Sequence, residues 1–266
     1  MSKLIYSDNN LVLNDKFKVL SVSLWTPAEI TTAAWFDAAD ASTVTLDAGN
    51  VSQWDDKSGN GNHAVQLAGN RQPAYNSVQI NDLATLTFDP VNQNLLDVNN
   101  VFLDVTQPFS LFVVFRPTGL GARRLLLQQT NGTGTGRSLF YHEDTYNVLA
   151  SLLGGGTQVL GVTPLVNGTP VLGEMTYTSG SIKFYLNGNY ENTHSKTAEY
   201  ADGLFRIGAN KLGNGLFWQG EIAEHLCYQR VSDENRQRVE GYLAWKWGLE
   251  SNLPIGHPYK SAPPYA

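Results

Sequence analysis

The sequence predicts an all-β protein, an antiparallel β-sandwich closed by one helix near its C-terminus. Three observations support this. Short apolar runs with strand-like alternation recur along most of the chain, Gly- and Asn-rich turns separate them, and a single late segment has helical spacing. The 266 residues suffice for one large all-β domain or two small ones.

The clearest strand signal is the segment 109–115 (FSLFVVF). Its nearly continuous apolar residues predict a central strand buried on both faces, and Pro108 and Pro117 bound it. A tight hairpin at 178–180 and an Asn187-Gly188 turn follow later in the chain. Further strands are predicted at 34–37, 51–55, 84–88, 138–141, 148–150, 171–177, 181–186, 190–193 and 205–208.

The last strand and the helix lie between residues 217 and 249. The alternation over 220–228 predicts a strand with Ile222, Leu226 and Tyr228 on one face. Ser232 stands at the N-cap position of a helix that Gly248 ends. A helix that follows the last strand is expected to close the sandwich. Core and closing roles are predicted for Trp25, Trp35, Trp245 and Trp247.

Residues 1–24 are predicted to form an extended N-terminal arm, and residues 25–266 the sandwich with its helix and a Pro-rich extended tail. Two apolar runs at 4–6 and 11–13 flank a turn at 7–10, and a third short strand is expected at 19–24. Such an apolar arm needs a surface to cover. It either lies on its own domain or docks to a partner, as an attachment or oligomerisation element.

Composition excludes several classes of function. The net charge is −6 and there is no Lys/Arg-rich run, which argues against nucleic-acid binding. No apolar run approaches the roughly 20 residues of a membrane span, and the N-terminus lacks a signal-peptide pattern, so we expect synthesis and folding in the cytoplasm. The single cysteine, Cys227, excludes an intrachain disulfide and is expected to be a small core residue.

The order of four motifs resembles a known family. These are the strand 109–115, the hairpin end 184–188 (FYLNG), the strand 205–208 (FRIG) and the segment 217–224 (FWQGEIAE). Over residues 25–250 this order is similar to the concanavalin A-like lectin/glucanase superfamily, in its laminin-G-like branch. The family's hairpin usually has Tyr-Val-Asp-Gly, where this chain has residues 185–188 (YLNG). The resemblance implies an antiparallel jelly-roll β-sandwich.

Two further segments, 55–62 (DDKSGNGN) and 239–248 (VEGYLAWKWG), resemble a subgroup common in bacteriophage virion proteins and bacterial surface proteins. Glucanases of the superfamily carry Glu-x-Asp-x-x-Glu on one strand. Here Glu221 and Glu224 remain, with Ala223 at the middle position. Since residues three apart in a regular strand face opposite ways, we expect no enzymatic activity. Glu224 is instead expected to be a buried structural tie to the helix or to Arg206.

Aromatic residues in or beside loops are the candidates for stacking on sugar rings, as lectins of the superfamily do, although core packing is the commoner role. These candidates are Trp54, Tyr75, Tyr141, Tyr146 and Trp218. Oxygen-bearing side chains cluster in the loop 55–62 and are the candidates for a calcium site, against the alternative of a hydrogen-bonded Asx/Gly turn. They are Asp55, Asp56, Asn60 and Asn62. No other cofactor is expected, and the scattered histidines favour no zinc site.

Together these observations predict a non-enzymatic structural protein of a bacteriophage virion, either decorating the capsid or associated with the tail. Its expected partners are other virion proteins, contacted through the arm, and cell-surface glycans, contacted through the sandwich. We expect a homo-oligomer located in the virion. The alternative is a stand-alone carbohydrate-binding module of a bacterial surface protein.

Overall fold

A computed structural model describes residues 5–7, 10–12, 23–98, 100, 107–130, 136–152, 158–178, 180–195, 204–210 and 212–266. The strands are β1 (Ile5–Ser7), β2 (Asn10–Val12), β3 (Ala34–Asp37), β4 (Val44–Asp47), β5 (Asn50–Trp54), β6 (Ala64–Val65), β7 (Ala74–Ile80), β8 (Leu83–Phe88), β9 (Leu96–Val98), β10 (Phe109–Pro117), β11 (Arg124–Thr130), β12 (Gly136–Glu143), β13 (Val148–Leu152), β14 (Val159–Pro164), β15 (Val171–Thr178), β16 (Ser181–Leu186), β17 (Asn189–Ser195), β18 (Phe205–Ile207) and β19 (Gly220–Tyr228). The helix α1 spans Asp233–Lys246.

The strands form the predicted antiparallel sandwich. Sheet 1 has the order β17-β16-β15-β10-β19, and the far side of β19 pairs with both β3 and β8, followed by β7. Sheet 2 has the order β14-β13-β12-β11-β18-β9-β6-β5-β4. A single pairing, Asn50 with Ala74, joins β5 to β7 and connects the two sheets at one edge.

Two apolar cores lie on either side of sheet 1. Between the sheets, Phe36, Val113, Phe115 and Trp218 pack with residues of sheet 2 such as Leu127. On the opposite face of sheet 1, α1 covers a second core, which includes Phe112, Val114, Leu226, Leu243 and Trp247. The strand β10 contributes to both cores and is buried almost throughout, which confirms the prediction of a central strand.

The strand β19 departs from regular alternation at a β-bulge. Val114 of β10 pairs with Glu224, but the next residue, Phe115, pairs with Ile222, so Ala223 is an extra residue. As a result Ile222 points into the core between the sheets, while Leu226 lies in the core under the helix. The prediction that Ile222 shares a face with Leu226 and Tyr228 is therefore wrong.

The helix begins and ends as the sequence predicts. The side chain of Ser232 accepts a hydrogen bond from the amide of Asn235 at 3.3 Å, and Gly248 has a φ of +69° just beyond the helix. The tail then turns back over α1. Gly241 packs directly on the ring of Tyr259, where a Cβ would lie 2.6 Å from the Tyr259 Cβ.

The end of the tail runs beside the start of the domain. The amide of Trp25 donates to the carbonyl of Pro264 at 3.0 Å, and Leu24 pairs with Tyr265. In the arm, β1 pairs antiparallel with β2, as the apolar runs predict. The third strand predicted in the arm lies largely outside the described residues, and the arm's attachment role stays a prediction. Among the helices that are described, none has the length and hydropathy to cross a membrane.

Candidate functional site

A cavity of about 500 Å³ opens between α1, β3 and the tail. We call it the aromatic groove. Its walls are Leu24, Trp25, Thr26, Trp35, Lys57, Tyr242, Trp245, Lys246, Pro263 and Pro264. Such a volume lies within the usual range of small-molecule sites, roughly 300–1,000 Å³, and a mostly apolar wall with few polar groups is typical of them.

Helical periodicity builds one wall of the groove. Tyr242, Trp245 and Lys246 stand at i, i+3 and i+4 of α1 and therefore share one face of the helix. The ring of Tyr242 packs edge-on against Trp25 and Trp35, with centroid distances of 6.2 and 6.5 Å. The indole N–H of Trp245 donates to the carbonyl of Tyr259 at 2.7 Å, which fixes the ring against the tail.

Lys57 places a cation at the floor of the groove. Its Nζ lies 4.5 Å from the ring centroid of Trp35, 2.9 Å from Asp37 and 2.8 Å from Asp40. Burial of Lys57 works to lower its pKa, but the hydrogen bond to Asp40 and the charge of Asp37 outweigh this and raise it. The same hydrogen bond from Lys57 lowers the pKa of Asp40 to about 2. Both groups are therefore charged at neutral pH.

Beneath the groove, Glu224 ties β19 to the helix. Its Oε1 accepts from the Trp35 indole N–H at 2.8 Å and the Tyr242 hydroxyl at 3.0 Å, and its Oε2 accepts from the Trp247 indole N–H and the Lys246 ammonium, each at 2.7 Å. Glu224 has no exposed surface. Its burial raises the pKa, and the charge of Lys246 partly offsets this. The predicted tie to the helix is confirmed.

Arg206, the other predicted partner of Glu224, forms an ion pair with Asp97 instead. Lys246 also bonds Asp37 at 2.6 Å, so the carboxylates of Glu224 and Asp37 are joined through one ammonium. The chain of charges continues from Asp37 to Lys57. Buried carboxylates are tolerated in this way when each is paired and hydrogen-bonded.

The bulge corrects the expectation that Glu221 and Glu224 face opposite ways. Because Ala223 is an extra residue, the side chains of Glu221 and Glu224 both project from the face of sheet 1 that is turned away from sheet 2. Glu221 forms a bidentate ion pair with Arg116, with both N···O distances 2.9 Å. Glu224 lies under the helix. Neither carboxylate is open to a substrate, and an acid–base pair needs both.

The five aromatic candidates for sugar stacking do not converge on one site. Trp54 and Trp218 are fully buried between the sheets, and Tyr141 is 2% exposed, so their rings have no free face for a sugar. The hydroxyl of Tyr75 donates to the carbonyl of Ala38, and its ring packs on the same core. Tyr146 is 60% exposed, in the turn between β12 and β13.

The loop 55–62 is a hydrogen-bonded turn that braces β3. The Asp56 carboxylate accepts from the amides of Trp35, Ser58 and Asn62 and from the Ser58 hydroxyl, at 2.7–3.0 Å. Such bonding leaves Asp56 poorly disposed to hold a calcium ion.

The remaining calcium candidates are also engaged. Asn60 and Asn62 donate their amide hydrogens to backbone carbonyls of residues 32 and 33, and Asp55 accepts from Gln53 and lies 3.0 Å from His63. In the described ranges no cluster of three or more His, Cys, Asp or Glu residues is placed to hold a metal ion. These contacts are those of an Asx/Gly turn, and calcium binding at this loop stays a prediction.

Cys227 and His225 form a buried pair in the core between the sheets. The His225 Nδ1–H donates to the carbonyl of Phe112 at 2.9 Å, and its Nε2 lies 3.0 Å from the Cys227 sulfur, in position to accept the thiol proton. Burial lowers the pKa of His225 to about 4 and raises the pKa of Cys227 well above its usual value. The pair is therefore neutral and enclosed, which confirms the core role predicted for the cysteine.

A second buried charge cluster lies under the N-terminal half of α1. Glu174 and Glu240 have no exposed surface, and Arg236 and His257 pair with Glu240. Burial and the neighbouring Glu240 raise the pKa of Glu174 well above its ordinary value. Burial works to raise the pKa of Glu240 too, but hydrogen bonds with His257 and Glu174 lower it. The raised pKa favours the protonated form of Glu174, and the lowered pKa of Glu240 favours its ionised form.

Comparison with known proteins identifies the family of this chain. A family model described as the concanavalin A-like lectin/glucanases superfamily matches residues 90–235 of the 266. The chain belongs to this superfamily. No curated protein matches the chain by sequence.

Solved structures with a similar fold include a sialidase and an arabinanase domain. The Trypanosoma rangeli sialidase in complex with the inhibitor DANA matches with a TM-score of 0.54 and 13% identity, over 76% of this chain and 31% of the sialidase. Domain 4 of AbnA, a GH43 extracellular arabinanase from Geobacillus stearothermophilus in complex with arabinotriose, matches with a TM-score of 0.54 and 17% identity, over 74% of this chain and 92% of that domain. This chain thus spans about a third of the sialidase, and these likenesses show the fold.

The aromatic groove lies outside the segment that the superfamily model matches. Trp25, Trp35 and Lys57 precede residue 90, and Tyr242 and Trp245 follow residue 235. Sequence reasoning assigned the tryptophans to core and closing roles, which Trp25 at 2% and Trp35 at 7% exposure confirm. It missed that they also line a cavity. The signal in the sequence that could have indicated the cavity is the i, i+3, i+4 spacing of Tyr242, Trp245 and Lys246 on α1.

Proposed function

We propose that this member of the concanavalin A-like superfamily is a non-catalytic glycan-binding protein and that the aromatic groove holds the saccharide. The observation that supports this is the convergence of two half-buried rings, Tyr242 and Trp245, with the Lys57 ammonium in one cavity. Aromatic faces pack against the apolar C–H faces of sugar rings, and a nearby donor orients the hydroxyls.

The hydrogen-bonding groups of the groove favour a neutral sugar. An ammonium has three donors, and the Lys57 Nζ engages Asp37 and Asp40, which leaves one donor for a sugar hydroxyl. Lys246 uses its three on Asp37, Glu224 and Tyr242. Because the lysines are already neutralised by carboxylates, the groove offers no uncompensated cation to an acidic group.

A glycan array followed by titration of each hit tests this proposal. We expect Trp245→Ala to weaken binding at least tenfold, which corresponds to about 1.4 kcal/mol. Tyr146→Ala is the matched control, because it removes an exposed aromatic ring elsewhere and should leave binding unchanged. Trp245→Phe, which keeps a ring, should restore part of the affinity. An array without hits, or equal affinity of the wild type and Trp245→Ala, would refute the proposal.

The absence of catalysis is part of the same proposal. It is supported by the two carboxylates of β19, because Glu221 is held by Arg116 and Glu224 by the helix. We expect no release of reducing ends from any polysaccharide that binds. Hydrolysis that Glu221→Gln abolishes would contradict it.

We also propose that the protein is a component of a bacteriophage virion. This proposal is supported by the resemblance of residues 55–62 and 239–248 to a subgroup common in bacteriophage virion proteins and bacterial surface proteins, and by the apolar arm. The arm would attach the domain, as a homo-oligomer, to capsid or tail proteins. Full-length protein should then co-sediment with particles, while protein lacking residues 1–22 should stay in solution and still bind glycan. If both forms bind glycan and neither sediments, the alternative of a bacterial surface module is favoured.

A further inference from the structure

A second cavity, of about 300 Å³, lies at the opposite end of α1 from the aromatic groove. We call it the basic groove. It is bounded by the start of β10, the β15–β16 hairpin and the segment that leads from β19 into α1. The residues that matter for its chemistry are Ser110, Thr176, Lys183, Arg230 and Arg236.

Strand register builds the floor of the basic groove. Ser110 pairs with Thr176, and Thr176 pairs with Lys183, so these three residues form a row across β10, β15 and β16. Their neighbours in sequence, Phe109 and Ile182, point into the core between the sheets. The row therefore lies on the face of sheet 1 that α1 covers further along, at the end that the helix leaves open.

The groove is cationic in a chain whose net charge is −6. Lys183 and Arg230 are exposed, and within the described part of the chain neither forms an ion pair or a side-chain hydrogen bond. Arg236 is paired with Glu240 at 2.5 Å, so the unpaired positive charge of the groove comes from Lys183 and Arg230. Asp233 is the single acidic side chain in the described lining, and it is 90% exposed and 3.6 Å from Arg236.

We propose that the basic groove binds the carboxylate or sulfate group of an acidic saccharide. Two unpaired cations beside hydroxyl groups are the groups that recognise an oxyanion, since charge-assisted hydrogen bonds to such groups are short and strong. The volume suits one charged sugar unit. A nucleic acid needs a longer basic track. The inference is independent of neutral-sugar binding in the aromatic groove, because the two cavities share no residue.

Calorimetric titration with four probes tests the inference on the full-length protein. The probes are a hyaluronan tetrasaccharide, a chondroitin sulfate tetrasaccharide, a neutral chitin tetrasaccharide and sodium sulfate. At least one acidic saccharide should bind tenfold more tightly than the chitin tetrasaccharide, and its affinity should fall as salt is added. If neither acidic saccharide bound more tightly than the neutral one, the proposal would be overturned. Sulfate binding as tightly as the saccharides would show a site for a free oxyanion and would also overturn it.

Variants locate the site. Lys183→Gln combined with Arg230→Gln should reduce acidic-saccharide affinity at least tenfold and flatten its salt dependence. Arg238→Gln is the matched control, since it removes one positive charge from the outside of α1, where Arg238 pairs with Glu234, and it should have no effect. Because both groove cations are exposed, the fold is expected to survive, and circular dichroism checks this. Unchanged affinity in the double variant would contradict the assignment. Trp245→Ala should leave acidic binding intact, which separates this inference from the proposed function.

Discussion

Replacing Glu224 with Gln tests the tie between β19 and α1. The carboxylate receives hydrogen bonds from two indole N–H groups, one hydroxyl and one ammonium, all inside the protein. An amide of the same shape has one acceptor atom. In either orientation its NH₂ group faces an indole N–H, that of Trp247 or that of Trp35, and this buried donor is left without a partner.

The expected cost follows from these losses. An unsatisfied buried donor costs about 1–3 kcal/mol, and Lys246 also loses a charged partner while it keeps Asp37. We expect a loss of about 3 kcal/mol in the free energy of unfolding. For a domain of this size, about 2–4 °C per kcal/mol gives a fall in Tm of roughly 6–12 °C.

Thermal and urea unfolding, followed by circular dichroism, measure this change. Glu234→Gln is the matched control, because Glu234 is an exposed residue of the same helix in an i, i+4 pair with Arg238. Surface changes of this kind usually stay within about 0.5 kcal/mol. A Tm of Glu224→Gln within about 1 °C of the wild type would show that Glu224 is no tie and would refute the reasoning.

Three further predictions concern buried positions. Because the folded pKa of Glu174 is raised, by burial first and then by Glu240, the protein binds a proton on folding, and the stability that this proton contributes is complete below about pH 4.5 and is lost as pH rises toward the folded pKa. Unfolding measured across pH should therefore show a decline that Glu174→Gln removes, and parallel curves would contradict this. Gly241→Ala should destabilise the protein by about 1–3 kcal/mol in urea unfolding, because its Cβ would lie 2.6 Å from that of Tyr259; a more stable variant would show that the tail yields. Cys227 should not react with a thiol reagent until the protein unfolds, since it is fully buried, and rapid native labelling would contradict its place in the core.

Local patterns in the sequence predict those parts of the fold that depend on local physics. The central strand β10 follows from its apolar run, and the ends of α1 follow from Ser232 and Gly248. The Asn-Gly pair also predicts the turn at 187–188, where Asn187 and Gly188 adopt positive φ angles. These features need no knowledge of distant contacts.

The parts that sequence reasoning missed depend on long-range packing. The identity of Ala223 does not predict a bulge, because a bulge is defined by how the neighbouring residues of β19 pair with β10. Trp54 and Trp218 lie near loops in sequence, yet both rings point into the core. The aromatic groove joins Trp35 to Trp245 across more than half of the chain, so no local pattern contains it.

The bulge in β19 has a consequence for how the fold tolerates insertions and deletions. Removing one residue from a strand normally turns every side chain on one side of the cut to the opposite face. Ala223 is an exception, because Glu224 and Ile222 already point to opposite faces on either side of it. In a homologue that lacks this single residue, the side chains at positions 221 and 227 would stay on the same faces of sheet 1 as Glu221 and Cys227 do here. An alignment gap in the middle of this fully buried strand would therefore be compatible with an unchanged architecture.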